Sequence, residues 1–172
     1  MAGQLIPYKG IMPRVDASAY IADGARIVGD IEIGADCSIW FNCVMRADVN
    51  FIRMGHSSNL QDGSVVHVTD GKYPTIIGNY VLIGHMVLLH GCTIEDGVLI
   101  GMGSTIMDNA VVEEGAMVGG GSLVTPGKRI PAGQLWAGRP AVYKRDLSAD
   151  EIAHHRKLTL GYVQRGKEYM GG

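Results

Sequence analysis

The sequence predicts an all-β solenoid of stacked parallel strands followed by one C-terminal α-helix. Three observations point there: a six-residue aliphatic repeat, a surplus of glycine, and a change of pattern near residue 141. Bulky apolar residues recur at Val15, Ile21, Ile27, Ile33, Ile39, Met45 and Phe51. The series slips by three and resumes at Met54, Leu60 and Val66. After a break at residues 68–76 it continues through Ile77, Ile83 and Leu89. It then slips by one and runs through Ile94, Ile100, Ile106, Val112, Val118, Val124, Ile130 and Trp136. A helix repeats every ~3.6 residues and a sandwich spaces its strands by roughly 8–12, so neither fits. A hexad suits a short strand and a tight turn, and three hexads make one triangular coil. Each coil then buries its aliphatic residues against the next, and the core propagates along one axis. Glycine, 25 of 172 residues, is about twice its usual ~7% and permits the positive φ of tight turns.

The repeats span about 15–136, within a β-helix domain expected over 1–141, and a C-terminal segment fills 142–172. Ser148 and Glu151 have capping-box spacing, with Ser148 closing the helix start and Glu151 reaching back to it. Ile152, His155, Thr159, Tyr162, Val163 and Tyr169 follow at helical spacing. They predict a helix over about 149–168 packed along the outside of the solenoid, although Gly161 and Gly166 lower its propensity.

Composition excludes several classes of function. A formal net charge of −2 gives no electrostatic footprint for nucleic acid or anionic lipid. No stretch approaches the ~18–20 consecutive apolar residues of a membrane span. The first residues show no basic region followed by an apolar core, so no signal peptide is expected. Cys37, Cys43 and Cys92 form no CxxC motif, and a reduced, cytoplasmic setting is the simplest expectation.

The repeat also assigns positions to polar residues. His67 follows Val66 and His90 follows Leu89. Their separation of 23 residues contains about five of loop, leaving 18, one full coil. The two histidines therefore stack on one corner, their backbones about 4.8 Å apart, and suit a shared metal at ~2.0–2.1 Å from each imidazole. His85 follows Ile83 by two and belongs to the preceding face. A third ligand then comes from a neighbouring subunit, which predicts a homotrimer with interfacial sites. A lone histidine in a β protein is more often a hydrogen-bonded surface or core residue, and a pair five apart is weak alone. Two in stacked register with a third on the next face are more specific. By the same counting Arg46 joins the His67 and His90 column, and Asp62 sits one coil from His85 beside Gln61. An arginine beside a metal site needs anionic partners, which Asp48 or Asp62 can supply.

These residues resemble the gamma-class carbonic anhydrases, which are hexapeptide-repeat, left-handed β-helix proteins. The motifs are Arg46-Ala47-Asp48, Asn59 through His67, Ile83-Gly84-His85, Leu89-His90-Gly91-Cys92 and Trp136-Ala137-Gly138-Arg139-Pro140. The resemblance covers essentially the whole chain. It implies a left-handed coil, a trimer, and Zn²⁺ (Fe²⁺ or Co²⁺ also suit imidazole ligands) held by His67, His85 and His90. Water on such a metal titrates near neutral pH and attacks CO2 to give bicarbonate. By the same resemblance Gln61 orients water and CO2, and Asn59 assists it. Arg46, Asp48 and Asp62 form the ion pairs that tie subunits together and support the site, and Tyr162 is a helix aromatic near the pocket. The chain departs from the family's archaeal archetype in proton transfer. The archetype has a longer acidic loop with a shuttling glutamate, whereas Asp70 is the only carboxylate of residues 68–75 here, and Val49 follows Asp48. Two other readings compete: an acyltransferase or thioesterase acting on acyl-CoA, and a catalytically weak or inactive metal-binding homologue. Fold alone does not choose among them.

Overall fold

The computed structural model describes residues 3–171. It is a parallel β-solenoid of about seven turns with a single C-terminal helix, the hexapeptide-repeat left-handed β-helix architecture. Most strands are two or three residues long, and three ladders form the faces of a triangular prism. On the first face Val66, Leu89, Ile106 and Val124 stack in register. On the second Ile77, Ile94, Val112 and Ile130 do so. On the third Ile21, Ile39, Leu60, Ile83, Ile100, Val118 and Trp136 do so. The central members of every ladder are fully buried. Burying each such side chain is worth about 1.5–3 kcal/mol, so the hexad is the main source of stability.

Phe51 departs from the expected core. The strand Val44–Met54 turns a corner, and its register against Arg26–Ile33 shifts between Gly29 and Ile31. Ile52 then pairs with Ile31, and Met54 pairs with Ile33. Ile52 takes the buried position, while Phe51 lies half-buried with the Arg53 guanidinium 4.6 Å from its ring centroid. The extra residues Asp48, Val49 and Asn50 are absorbed as a bulge at this corner, which is why a simple six-step count lands one residue early.

The C-terminal segment first forms a strand, Val142–Asp146, antiparallel to Gln134–Ala137 at the end of the third face. The helix then runs over Ala149–Gly171, a little beyond the expected end. Its capping box forms in both directions: Ser148 Oγ accepts from Glu151 N–H at 3.2 Å, and Glu151 Oε2 accepts from Ser148 N–H at 2.9 Å. Arg145 grips both Glu151 oxygens at 2.9 and 2.7 Å. That grip comes first among the causes that hold the Glu151 carboxyl at about 2. His155, Thr159 and Gly166 form the buried stripe facing the third face. Gly166, unfavourable by propensity, sits at a close approach of helix and solenoid: a Cβ there would stand 3.2 Å from that of Tyr20. Among the described residues no helix is long and apolar enough to cross a membrane.

His155 is buried in this contact and its Nδ1 has no hydrogen-bond partner. Burial, reinforced by the neighbouring His154, lowers its pKa below the ordinary 6.5. The unfolded chain therefore takes up this proton first, so the contribution is intact above about 6.5 and is lost as pH falls below it. Urea midpoints are expected to drop between pH 7 and pH 5, and to drop less in His155→Leu. An equal drop in the variant would assign the pH sensitivity to other groups.

Candidate functional site

His67 and His90 end two paired strands of the first face, Val65–His67 and Leu88–His90, and are direct ladder partners. The preceding residues, Val66 and Leu89, point into the core, so the strand alternation turns both imidazoles outward. The facing nitrogens, His67 Nδ1 and His90 Nε2, are 3.1 Å apart. The outer nitrogens meet carboxylates: His67 Nε2 lies 3.0 Å from Asp48 Oδ1, and His90 Nδ1 lies 2.5 Å from Asp108 Oδ1. When each outer N–H is donated to its carboxylate, both facing nitrogens carry lone pairs aimed at one another. That arrangement calls for a positive charge between them, either a proton shared as an N–H···N hydrogen bond or a metal ion. The separation matches the roughly 3.3 Å between two nitrogens on a tetrahedral zinc with ~2.0–2.1 Å bonds, and carboxylates behind ligand histidines are the usual second layer of such sites.

The carboxylates are themselves held. Asp48 is ion-paired to Arg46. Its burial opposes ionisation, but the hydrogen bonds from His67 and Arg46 outweigh that and keep its carboxyl below the ordinary value. Asp108 accepts from Thr69 Oγ1 at 2.8 Å. There too burial is outweighed, by His90, Thr69 and the Lys72 charge, and the carboxyl stays low. Asp108 is the site residue that the sequence reading missed. It lies two past Ile106, the ladder partner of Leu89, and so one coil from Gly91. The count that set Asp62 against His85 would have found it. The loop after His67 is pinned by the Thr69–Tyr73 bridge and by Thr75 Oγ1, which donates to the His67 carbonyl at 2.6 Å.

The other expected residues lie elsewhere on the prism. His85 sits at a corner after the third-face strand Leu82–Ile83, and its Nδ1 is 2.8 Å from Asp62 Oδ2. Asp62 Oδ1 also accepts from the Phe41 N–H at 3.2 Å. Among the described residues no three His, Cys, Asp or Glu side chains of one chain gather around a metal-sized point. Exposed apolar side chains lie near both histidine groups along the chain: Val65 and Leu88 stand two residues before His67 and His90 on the paired strands, and Met86, 70% exposed, follows His85. Asn59 and Gln61 lie on the third face, 1% and 4% exposed, with Gln61 Nε2 donating to Asn59 Oδ1 at 3.2 Å. Gln61 and Tyr162 line a cleft of about 390 Å³ beneath the helix. Tyr162 packs edge-on to Trp40, ring centroids 5.6 Å apart. A larger cleft of about 620 Å³, bounded by Tyr20, Phe41 and Tyr169, touches none of these site residues.

Residues 91–126 match the family model for bacterial transferase hexapeptide (six repeats). The chain is 49% identical over 155 residues to gamma carbonic anhydrase 1, mitochondrial, of Arabidopsis thaliana, covering 87% of this chain and 56% of the plant protein. It thus spans little more than half the length of that relative. It is 46% identical over 165 residues to a carbonic anhydrase of Geobacillus kaustophilus, covering 96% of this chain and 90% of that one. Among solved structures, a hexapeptide transferase family protein from Anaplasma phagocytophilum superposes with a TM-score of 0.92 at 45% identity, covering 96% and 97% of the two chains.

Gly91 makes a specific demand at this site. Its φ is +56°, and a Cβ there would lie 2.7 Å from Asp108 Oδ1 and 2.9 Å from the Tyr73 Cβ. Gly91→Ala is expected to destabilise the fold by about 1–2 kcal/mol from the left-handed backbone alone, and to push Asp108 away from His90. Urea denaturation measures the first effect. An unchanged midpoint would refute it.

Proposed function

The chain belongs to the gamma-class carbonic anhydrase family of hexapeptide-repeat proteins, and from that membership and the facing His67–His90 pair we propose that it catalyses reversible hydration of CO2 to bicarbonate. The observation that carries the reading is the pair itself: two imidazoles 3.1 Å apart, each backed by a carboxylate. His67 and His90 of one subunit and the partner subunit's His85 hold a divalent ion, Zn²⁺ by preference, in a homotrimer. The exposed Met86, Val65 and Leu88 near both histidine groups support burial of this surface against a second copy. When bound, the ion supplies Lewis-acid activation of water for addition to CO2. Asp48 and Asp108 fix the ring orientation of His67 and His90, and Arg46 and Thr69 keep those carboxylates in position. Gln61, steadied by Asn59, offers an amide that orients the reactants, and Tyr162 limits the room around it. Asp62 holds His85 at its corner. The free, buried cysteines Cys37, Cys43 and Cys92 support a reducing compartment such as the cytoplasm.

The second reading, acyl transfer or thioester hydrolysis on acyl-CoA, is favoured by the transferase description of the Anaplasma protein. It needs one histidine base, and leaves the second imidazole and both carboxylates without a role. Metal analysis of the purified protein joined to a CO2 hydration assay separates the two. Stoichiometric Zn²⁺ with hydration activity and a trimer by light scattering is expected. No hydration with zinc, cobalt or ferrous iron stoichiometrically bound at any buffer concentration would move acyl-thioester chemistry ahead, and a monomer with a full equivalent of zinc would contradict the interfacial site. His90→Ala should lose most of the metal yet stay folded, because the aliphatic ladders do not involve it. Asp108→Asn should weaken metal binding by about 10–100-fold with an unchanged circular dichroism spectrum.

Proton exit is the weak step of this chain. Asp70 is the only carboxylate of the loop after His67, and Val49, 40% exposed beside Asp48, carries none. Activity should therefore rise steeply with small imidazole-type buffers. Val49→Glu should raise it at low buffer and change little at high buffer. Thr69 is the poorer place for that carboxylate, because its hydroxyl already serves Asp108. A buffer-independent rate would refute this account of proton transfer.

A further inference from the structure

The cleft beneath the helix has a second character that the CO2 reading does not use. Its lining combines the apolar side chains of Leu82, Leu158 and Tyr162 with Lys157, Arg165 and His154. Among the described residues no carboxylate lines it. The neighbouring charges are already paired: Arg145 takes Glu151, Lys167 takes Asp36, and Glu168 accepts from Gln164. Lys157 and Arg165 form no ion pair among the described residues, in a chain whose net charge is −2. Arg165 is held beside the opening, its guanidinium 5.1 Å from the centroid of the Tyr162 ring. Gln61, also in the lining, donates to Asn59 Oδ1 at 3.2 Å.

We propose that this cleft binds a short-chain organic carboxylate, its charged end between Lys157 and Arg165 and its alkyl chain on Leu82, Leu158 and Tyr162. Two unpaired cations give the site its sign, and the apolar part of the lining distinguishes an alkyl carboxylate from bicarbonate or another inorganic oxyanion, which has nothing to bury there. The site adjoins the proposed reaction site through Gln61 but needs no metal, so its test is independent of CO2 hydration.

The test is calorimetric titration of the full-length protein with acetate, butyrate, bicarbonate and 1-butanol, before and after exhaustive chelation. Butyrate should bind about tenfold more tightly than acetate, following its two additional buried methylenes. Bicarbonate should bind more weakly than butyrate, and 1-butanol should not saturate in the same range. Chelation should leave the ranking intact. K157Q combined with R165Q should weaken butyrate at least tenfold, whereas K128Q, whose ammonium lies over Trp136 outside the cleft, should not. Equal affinities for acetate and butyrate, butanol matching butyrate, bicarbonate matching butyrate, or loss of binding on chelation would each overturn the proposal. That ligand series on the unaltered protein decides the matter even where the double variant fails to keep its helical signal.

Discussion

Every aliphatic residue of the hexad must lie on its counterpart one coil away. Strands in a sheet are about 4.8 Å apart, and the three inward ladders fill the prism only if that alignment is kept. A slip of one residue along a strand would turn the whole apolar set to solvent. The solenoid therefore tolerates insertions at its corners but not within its ladders. The loop after His67 is such an insertion: it closes on itself through Thr69 and Tyr73, and the strand Thr75–Ile77 re-enters in register with Met54. The bulge in Val44–Met54 is another, and it too returns the chain to the ladder at Ile52 and Met54.

The same alignment builds the polar site. A side chain next to a core residue is carried to the same height and direction as its neighbour one coil away. Val66 and Leu89 fix His67 and His90, and Leu60 and Ile83 fix Asp62 and His85. No binding energy is needed to bring the two imidazoles within 3.1 Å, because the core has already brought them there. Asp48 reaches His67 from the bulge in the adjoining coil, and Asp108 reaches His90 from the coil on the other side. The bulge and Gly91, both irregular as parts of the repeat, are what let the carboxylates stand behind the rings. Local irregularity in an otherwise regular chain is where function is expected to lodge.

This explains which parts were legible in the sequence. The prism, the stacking of His67 on His90, the apposition of Asp62 and His85, and the Ser148–Glu151 cap all follow from spacing, since each depends on a periodicity that a single sequence displays. Phe51 was misread because the register shift near Gly29 depends on how two strands meet at a corner, and no local pattern records it. The strand Val142–Asp146 was missed because all its side chains are exposed, so it has no alternation of apolar and polar residues to see. Asp108 lay within reach of the counting and was passed over because it belongs to no histidine-bearing hexad. Tyr162 and Gln61 share a cleft only because the helix lies along the third face, a packing that the helical periodicity permits without specifying its partner.

The geometry also bears on why the proposed metal site would lie between subunits. Ladder residues of one face are nearly collinear, rising along the prism axis. Two of them can approach a metal from one side, but a tetrahedral ion needs a third protein donor well off that line. The chain has three means of supplying one: a loop folded over the face, the C-terminal helix, or another copy. The loop after His67 carries no further histidine, and its Thr69 is engaged with Asp108. The helix lies along the third face, against the strands Tyr20–Ile21, Ser38–Ile39 and Asn59–Leu60. Of its histidines, His155 lies in the buried contact and His154 lines the cleft beneath the helix, both on the third-face side. His56 is engaged with Ser57 Oγ at 3.2 Å and packs edge-on to the Tyr80 ring, which leaves His85, held at a corner by Asp62 with Met86 exposed beside it. In its own chain it sits apart from the pair, so the reading that uses all three histidines is one in which a second prism packs its corner against the first face.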